Sequence, residues 1–319
     1  MILLVTNRRD VTTDYVVQEL ERRQLHYVRL NTDALASASI VLRPDRPAKD
    51  QLVIEGQSFY LDAVTAAYFR RPEAPIVPDI AGTEAVRIYC AAEWTAILKT
   101  LIGRMEGRWF NDPATIVRAE DKPRQLLAAQ KLGFRIPETV ITNDPIAARA
   151  FAAERNVVAK PLRHALLEDE GPGRAMFTSR LNVDELGPDA SISAAPVILQ
   201  AEVVKEVDLR VTVIDDRVFA VAIHSQAHLE TTVDWRRGVR PDLRHEVVTL
   251  PNDIEDRCVA ITRALDLRFG AIDLICDRMG GYWFLEINPN GQWAWIENRT
   301  GLPIASAIVD ALAAPERFQ

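Results

Sequence analysis

Apolar and polar positions fall along this chain in blocks whose period changes, and the changes mark its elements. Ile2 to Thr6 is an almost unbroken apolar run, the signature of a strand buried on both faces, and a helical period follows from about Thr12 to Arg23. A second strand is predicted over His26 to Leu30, then a hairpin turning at Glu55-Gly56, then a strand from Thr65 to Phe69. Such alternation predicts an α/β lobe. The prolines of "RRPEAPIVP" interrupt it, and a long amphipathic helix is predicted from Thr83 to Ile102, with a lobe boundary near residues 110 to 120.

Beyond that boundary, "DKPRQLLAAQKLGFRIPETVITND" predicts a helix stopped by Gly133, a short strand, and a further helix capped by Asp144. The apolar strand "NVVAKPL" leads to "LLEDEGPGR", which is acidic, contains Gly171 and Gly173, and lacks apolar periodicity. It reads either as a loop able to close over phosphates or as a solvated hairpin tip. The strands "VILQAEVV", "VDLRVTVI" and "RVFAVAIHSQ" follow, then a helix over Ile254 to Leu265 and a last hairpin.

That hairpin, "FGAIDLICDRMGGYWFLEINPN", carries the most specific chemistry. A tight turn at Met279-Gly280 makes facing residue numbers sum to 559, which sets Asp273 opposite Glu286, with Asn288 two residues on along the same face. Like charges opposed across two strands are destabilising. A divalent cation between them resolves the conflict, and an all-oxygen donor set selects magnesium or manganese. The competing reading is an exposed carboxylate pair on an edge hairpin, or a register slipped by one residue.

Composition narrows the class. At 319 residues the chain suits two or three lobes, and no apolar run is long enough to span a bilayer. Its first residues lack the order of a signal peptide, and Cys90, Cys258 and Cys276 are too scattered for a zinc site or a disulfide framework, so a reducing cytoplasm is expected. A net charge of -7 excludes a general nucleic-acid binder. Neither a P-loop nor a dinucleotide fingerprint is present, so phosphates need another cradle.

The cations available for it are Lys122 at a helix start, Lys160 at a strand end, and Arg210 inside "VDLRV", where Asp208 is the alternative same-face partner. "DWRRGVRPDLRH" gathers Arg236, Arg237, Arg240, Arg244 and His245, either to draw an acidic substrate or as a solvated loop. His224, Ser225 and Gln226 end a neighbouring strand, and Trp293 and Trp295 either wall a site or fill a core.

These segments together resemble the ATP-grasp superfamily from Asp121 onward. Within it, "YFRRPE", "HSQ" with "DWR", and "NPNGQWAWIENRTGLPIASAIVDAL" resemble the macrocyclases that make microviridins and other graspetides. The resemblance implies an ATP-grasp fold, with an N-terminal α/β lobe over residues 1–115, a central lobe over 116–200 and a C-terminal lobe over 201–319. It implies ATP and magnesium, two ions, as cofactors, and nucleotide contacts from Lys122, Lys160, Gln200, Glu202, Val203, Val204 and Asp208.

It further implies metal ligation by Asp273, Glu286 and Asn288, and catalytic roles for Arg210 and Arg236. The implied partner is a ribosomally made precursor peptide with a leader segment, for which the acidic residues Glu168 to Glu170 are a candidate contact, and the implied assembly is a homodimer with the Thr83 to Ile102 helix as one candidate face. The reaction is phosphorylation of an Asp or Glu side chain, then displacement of phosphate by a hydroxyl or amine of the same peptide. The alternative is a related ligase that joins a free amino acid to a carboxylate. Arg70 and Arg71 are expected to form structural ion pairs between lobes.

Overall fold

The computed structural model describes residues 1–79, 82–163, 166–167, 174–237, 240 and 242–314. In the first lobe, β1 (Ile2–Thr6), β2 (Tyr27–Asn31), β3 (Ser39–Val41), β4 (Gln51–Ile54), β5 (Gln57–Tyr60) and β6 (Ala66–Phe69) form two sheets. The parallel one has the order β2-β1-β6; β3, β4 and β5 form the antiparallel one, turning at Glu55-Gly56 with both φ angles positive. β1 is apolar throughout because both faces are covered. Ile2 and Leu4 pack with α1 (Val11–Arg22), while Leu3 and Val5 pack with Leu98 and Leu101 of α2 (Glu84–Arg104).

Helix α2 is less amphipathic than its pattern predicts. Only Leu98 and Leu101 are buried; Trp94 and Ile97 lie half-buried on the lobe's own core rather than on an outer face. Ile88 and Tyr89, 62% and 64% exposed, form its open apolar surface.

The chain continues through α3 (Pro113–Ala119) and α4 (Lys122–Lys131), each started by an aspartate, Asp112 or Asp121, that accepts from a first-turn N–H. Next come β7 (Thr139–Thr142), α5 (Pro145–Ala153), β8 (Val157–Lys160), the two-residue strands β9 (Leu166–Leu167) and β10 (Arg174–Ala175), β11 (Ser179–Leu181), α6 (Asp189–Ser193) and β12 (Val197–Ala201). The sheet β11-β8-β12-β7 is antiparallel and has its own small core of Ala148, Ala152, Val157, Ile192 and Leu199. Glu168 to Glu170, Gly171 and Gly173 lie outside the described residues. Ala119, Leu126 and Ala129 of α3 and α4 pack not here but into the core of the following sheet.

That sheet has the order β15-β14-β13-β16-β17, all antiparallel, from β13 (Lys205–Ile214), β14 (Arg217–Ile223), β15 (His245–Val248), β16 (Phe269–Asp277) and β17 (Tyr282–Asn288). Leu209, Val211, Ile272 and Leu274 on one face are covered by α7 (Asn252–Ala264) and α4. Asp208, Arg210, Asp273 and Glu286 alternate onto the other. The chain ends with α8 (Ala294–Thr300) and α9 (Ile304–Ala313), and α9 returns to pack against the first lobe beside Leu4, Val16 and Leu20.

The expected pairing of Asp273 with Glu286 is present, but the turn is one residue longer than expected. Asp277 faces Gly281 across the three-residue loop Arg278-Met279-Gly280, with Gly280 at φ +77°. Facing numbers near the loop therefore sum to one less than 559, and a bulge at Leu285 restores the sum before Glu286.

Candidate active site

The four-stranded and five-stranded sheets face each other across a cleft of about 790 Å³. Its small-sheet wall is built by cross-strand neighbours. Lys160 Nζ donates to Gln200 Oε1 at 2.8 Å, and Gln200 Nε2 donates to Thr139 Oγ1 at 3.0 Å, so a buried amide orients the lysine. After β12 the Glu202 N–H still donates to the Asn156 carbonyl at 2.8 Å, and Val203 and Val204 then run outside any strand along the cleft. The Glu202 side chain turns aside to grip Arg180, which leaves that segment's main chain to face a ligand.

The opposite wall carries the carboxylates. Asp273 accepts from Arg210 Nη1 at 2.8 Å, Glu286 lies 3.3 Å from Lys122 Nζ, and Asn288 Oδ1 accepts from the Asn290 N–H at 2.9 Å. Burial alone would raise the Glu286 carboxyl, but Lys122, Arg236 and Lys160 outweigh it and hold it below the ordinary range. Two carboxylates and one carboxamide on adjacent strands fit a hard divalent ion that completes its shell with phosphates and water. Among the described residues no cluster of three or more His, Cys, Asp or Glu side chains competes for that role. Arg210 Nε is buried with no partner among the described residues, a donor left over for an anion.

Asp208 does not pair with Arg210. Lys205 Nζ donates to both its oxygens at 2.8 Å, with burial pushing the Asp208 carboxyl up against that attraction. Three residues apart in a strand they should face opposite ways, but a bulge at Glu206 brings them together, and for that reason the pattern does not reveal Lys205.

Arg236 forks onto Asp234, Nε and Nη2 each donating at 2.8 Å, while Asp234 also accepts from the Thr178 N–H. Burial works against its charge, but Asp234, then Asp273 and Glu286, raise its pKa above the ordinary value. The rest of the basic run is already engaged: Arg237 by Ser179, Arg240 by Asp242 and Glu230, Arg244 by Glu246. Arg240 and Arg244 thus have carboxylate partners, whereas Arg237 donates to a neutral hydroxyl. Gln226 lines the cleft, whereas His224 turns to Glu246. Trp293 is core; Trp295 stacks at 5.2 Å on Trp235, a cleft residue that the sequence did not single out.

Residues 119–312 match the model of the RimK-like ATP-grasp domain. The chain belongs to the RimK-like ATP-grasp family. It has the ATP-grasp fold and is a ligase of that family, whose members work with ATP and magnesium. The macrocyclase MdnC of Microcystis aeruginosa MRC, solved with its precursor peptide MdnA, is 27% identical with a TM-score of 0.85, covering 98% of this chain and 99% of that one. A RiPP-associated ATP-grasp ligase of Chryseobacterium gregarium, solved with ADP and a leader and core peptide, is 27% identical with a TM-score of 0.87, covering 98% and 96%. The ATP-grasp ligase PsnB, solved with minimal precursor, Mg and ADP, is 25% identical with a TM-score of 0.77, covering 100% and 97%. A probable alpha-L-glutamate ligase of Haemophilus influenzae is 24% identical over 63% of this chain, which spans 65% of that relative's length.

Lys160 makes the nucleotide side of this RimK-like site testable. Removal from water lowers its ammonium to about 8, against the pull of Glu286. If Lys160 holds phosphate, as the resemblance implies, a free enzyme that loses this proton above pH 8 must regain it on binding. ATP affinity measured calorimetrically is therefore expected to fall as pH rises past 8, by up to about tenfold per unit, and Lys160→Met to flatten the profile. A wild-type profile already flat would remove Lys160 from the phosphate site.

Proposed function

We propose that this chain is a peptide macrocyclase that activates Asp or Glu side chains of a ribosomally made precursor and closes ester or amide rings. The observation that carries the reading is the extent of the likeness. A peptide-bound macrocyclase and a peptide-bound RiPP-associated ligase align over nearly the whole of both chains, first lobe included, whereas the glutamate ligase aligns over 63% of this one.

In this reading Lys122 and Lys160 hold the nucleotide phosphates, Gln200 to Val204 presents its main chain to the base, and Asp208 sits at the ribose. Magnesium, held by Asp273, Glu286 and Asn288 with two ions expected, neutralises phosphate charge when bound. An oxygen of the substrate carboxylate attacks the γ-phosphorus and ADP leaves. A hydroxyl or amine of the same peptide then attacks the acyl carbonyl, loses its proton and expels phosphate. Arg210, with its spare buried donor, and Arg236 stabilise the negative charge that builds on the acyl oxygen. No nucleophile from the chain is required.

Incubating the enzyme with ATP, magnesium and a precursor peptide encoded beside its gene is expected to lighten the peptide by one water per ring on mass spectrometry. An unchanged peptide, with ADP forming only when free amino acids are supplied, would favour the amino-acid ligase. Arg236→Ala is expected to lower peptide kcat/KM by about 10 to 100-fold while leaving the Kd for ADP unchanged, since the lost charge faces the acyl group. Weaker ADP binding with normal peptide turnover would move Arg236 to the nucleotide side.

Exposed Ile88 and Tyr89 on α2 are the face we assign to a homodimer, and sedimentation at the mass of one copy would remove that assignment. Among the described residues no helix is long and apolar enough to cross a membrane. The three free cysteines suit a reducing cytoplasm, a placement that fractionation of cells would test.

A further inference from the structure

β17 is the edge strand of its sheet, so one side of its main chain has no strand beside it. Groups from outside the sheet complete that side and the turn beyond it, beginning with the Phe284 N–H, which donates to the Arg135 carbonyl at 2.8 Å. Gln125, 2% exposed on α4, accepts from the Ile287 N–H at 3.0 Å and donates to the Ile287 carbonyl at 2.8 Å and to the Ala119 carbonyl at 2.6 Å. Asn111 donates to the Pro289 carbonyl at 3.2 Å, and Arg70 to the Gly291 carbonyl at 3.2 Å.

The Gln125 contacts have a particular geometry. The Ile287 N–H belongs to the peptide unit that follows Glu286, and its carbonyl to the unit that precedes Asn288. Gln125 thus fixes the two peptide planes that set the directions of both side chains, immediately after the Leu285 bulge has loosened the ladder. The Ile287 side chain points into the core, so Glu286 and Asn288 are held facing the cleft.

We propose that Gln125 is a positioning residue for the divalent cation of this site, acting through the main chain of Ile287. The inference rests on the assignment of Glu286 and Asn288 as metal ligands. Only the amide's hydrogen bonds are specific to it, because Gln125 reaches neither ligand side chain. Loss of an outer contact that orients a ligand typically weakens metal binding by 10 to 100-fold.

The test is Mn²⁺ binding, followed by electron paramagnetic resonance with ADP present, in the wild type, Gln125→Met and Glu286→Gln. Gln125→Met keeps the volume and removes both hydrogen-bonding functions. It is expected to weaken Mn²⁺ binding by about tenfold or more with metal-free ADP affinity close to wild type, while the thermal midpoint falls because the buried Ile287 N–H loses its acceptor. Weakening by Glu286→Gln with none by a folded Gln125→Met would overturn the positioning role and leave the ligand assignment standing. Unaltered Mn²⁺ binding in Glu286→Gln would overturn the ligand assignment itself. If Gln125→Met does not accumulate as folded protein, Gln125→Glu, nearly isosteric and still able to accept from the Ile287 N–H, is read in the same way.

Discussion

Glu286→Gln is expected to reduce ADP formation by about 10²- to 10³-fold or more while leaving most of the affinity for peptide. The carboxylate lies among Lys122, Lys160 and Arg236, and Asp273, which faces it across the strands, is already engaged by Arg210. Glutamine preserves the shape but leaves those three cations without their shared counter-charge and removes one of two anionic donors for a metal. The loss therefore falls on phosphoryl transfer rather than on peptide binding. Turnover and peptide Kd measured on one preparation check this; undiminished turnover would remove Glu286 from the metal site.

Arg70→Met is expected to destabilise the fold by about 3 to 5 kcal/mol, because it leaves the Asp10 carboxylate buried without its cation. Arg70 and Asp10 are only 1% and 5% exposed at their side chains and lie 3.2 Å apart. Thr6, Thr13 and the Thr12 N–H also donate to Asp10, so part of its charge stays solvated. Adding Asp10→Asn should recover some of the loss. Urea unfolding gives the number, and a change below about 1 kcal/mol would show that those hydroxyls carry Asp10 alone. Turnover should fall as well, since Arg70 also holds the Gly291 carbonyl. A Cβ on Gly291 would come within 2.3 Å of Ala271, so that loop has little room to shift.

Where the argument from sequence succeeded, one local rule was sufficient. Gly133 marked the end of α4 and Asp144 the start of α5, an unbroken apolar run marked β1, and strand alternation set Asp273 against Glu286. It failed where an inserted residue changes the phase. The assumed two-residue turn is a three-residue loop, and the right facing pair survived only because the Leu285 bulge cancels the error. The Glu206 bulge likewise hid the pairing of Lys205 with Asp208. Charge neutralisation was invisible for another reason. The partners of Arg240 and Arg244 are close in sequence, yet nothing in spacing alone says that Asp242 and Glu246 turn toward them. Gln125 and Asn111 act on main-chain atoms far along the chain, a role no side-chain pattern encodes.

The small sheet and its helices keep an apolar core separate from the others. Their side-chain ties to the rest of the chain include Lys122 to the Pro161 carbonyl, Asp234 to the Thr178 N–H and Arg237 to Ser179, all polar bonds that water can replace. Meanwhile α9 locks the first and last lobes together through apolar packing and through Arg23 with Asp310. Among the described residues the core of the small sheet is separate, so a rotation of that sheet against the rest is expected to exchange polar bonds rather than expose a shared core. Such a rotation would then cost little, and a ligand bound between the two sheets would be expected to set its position.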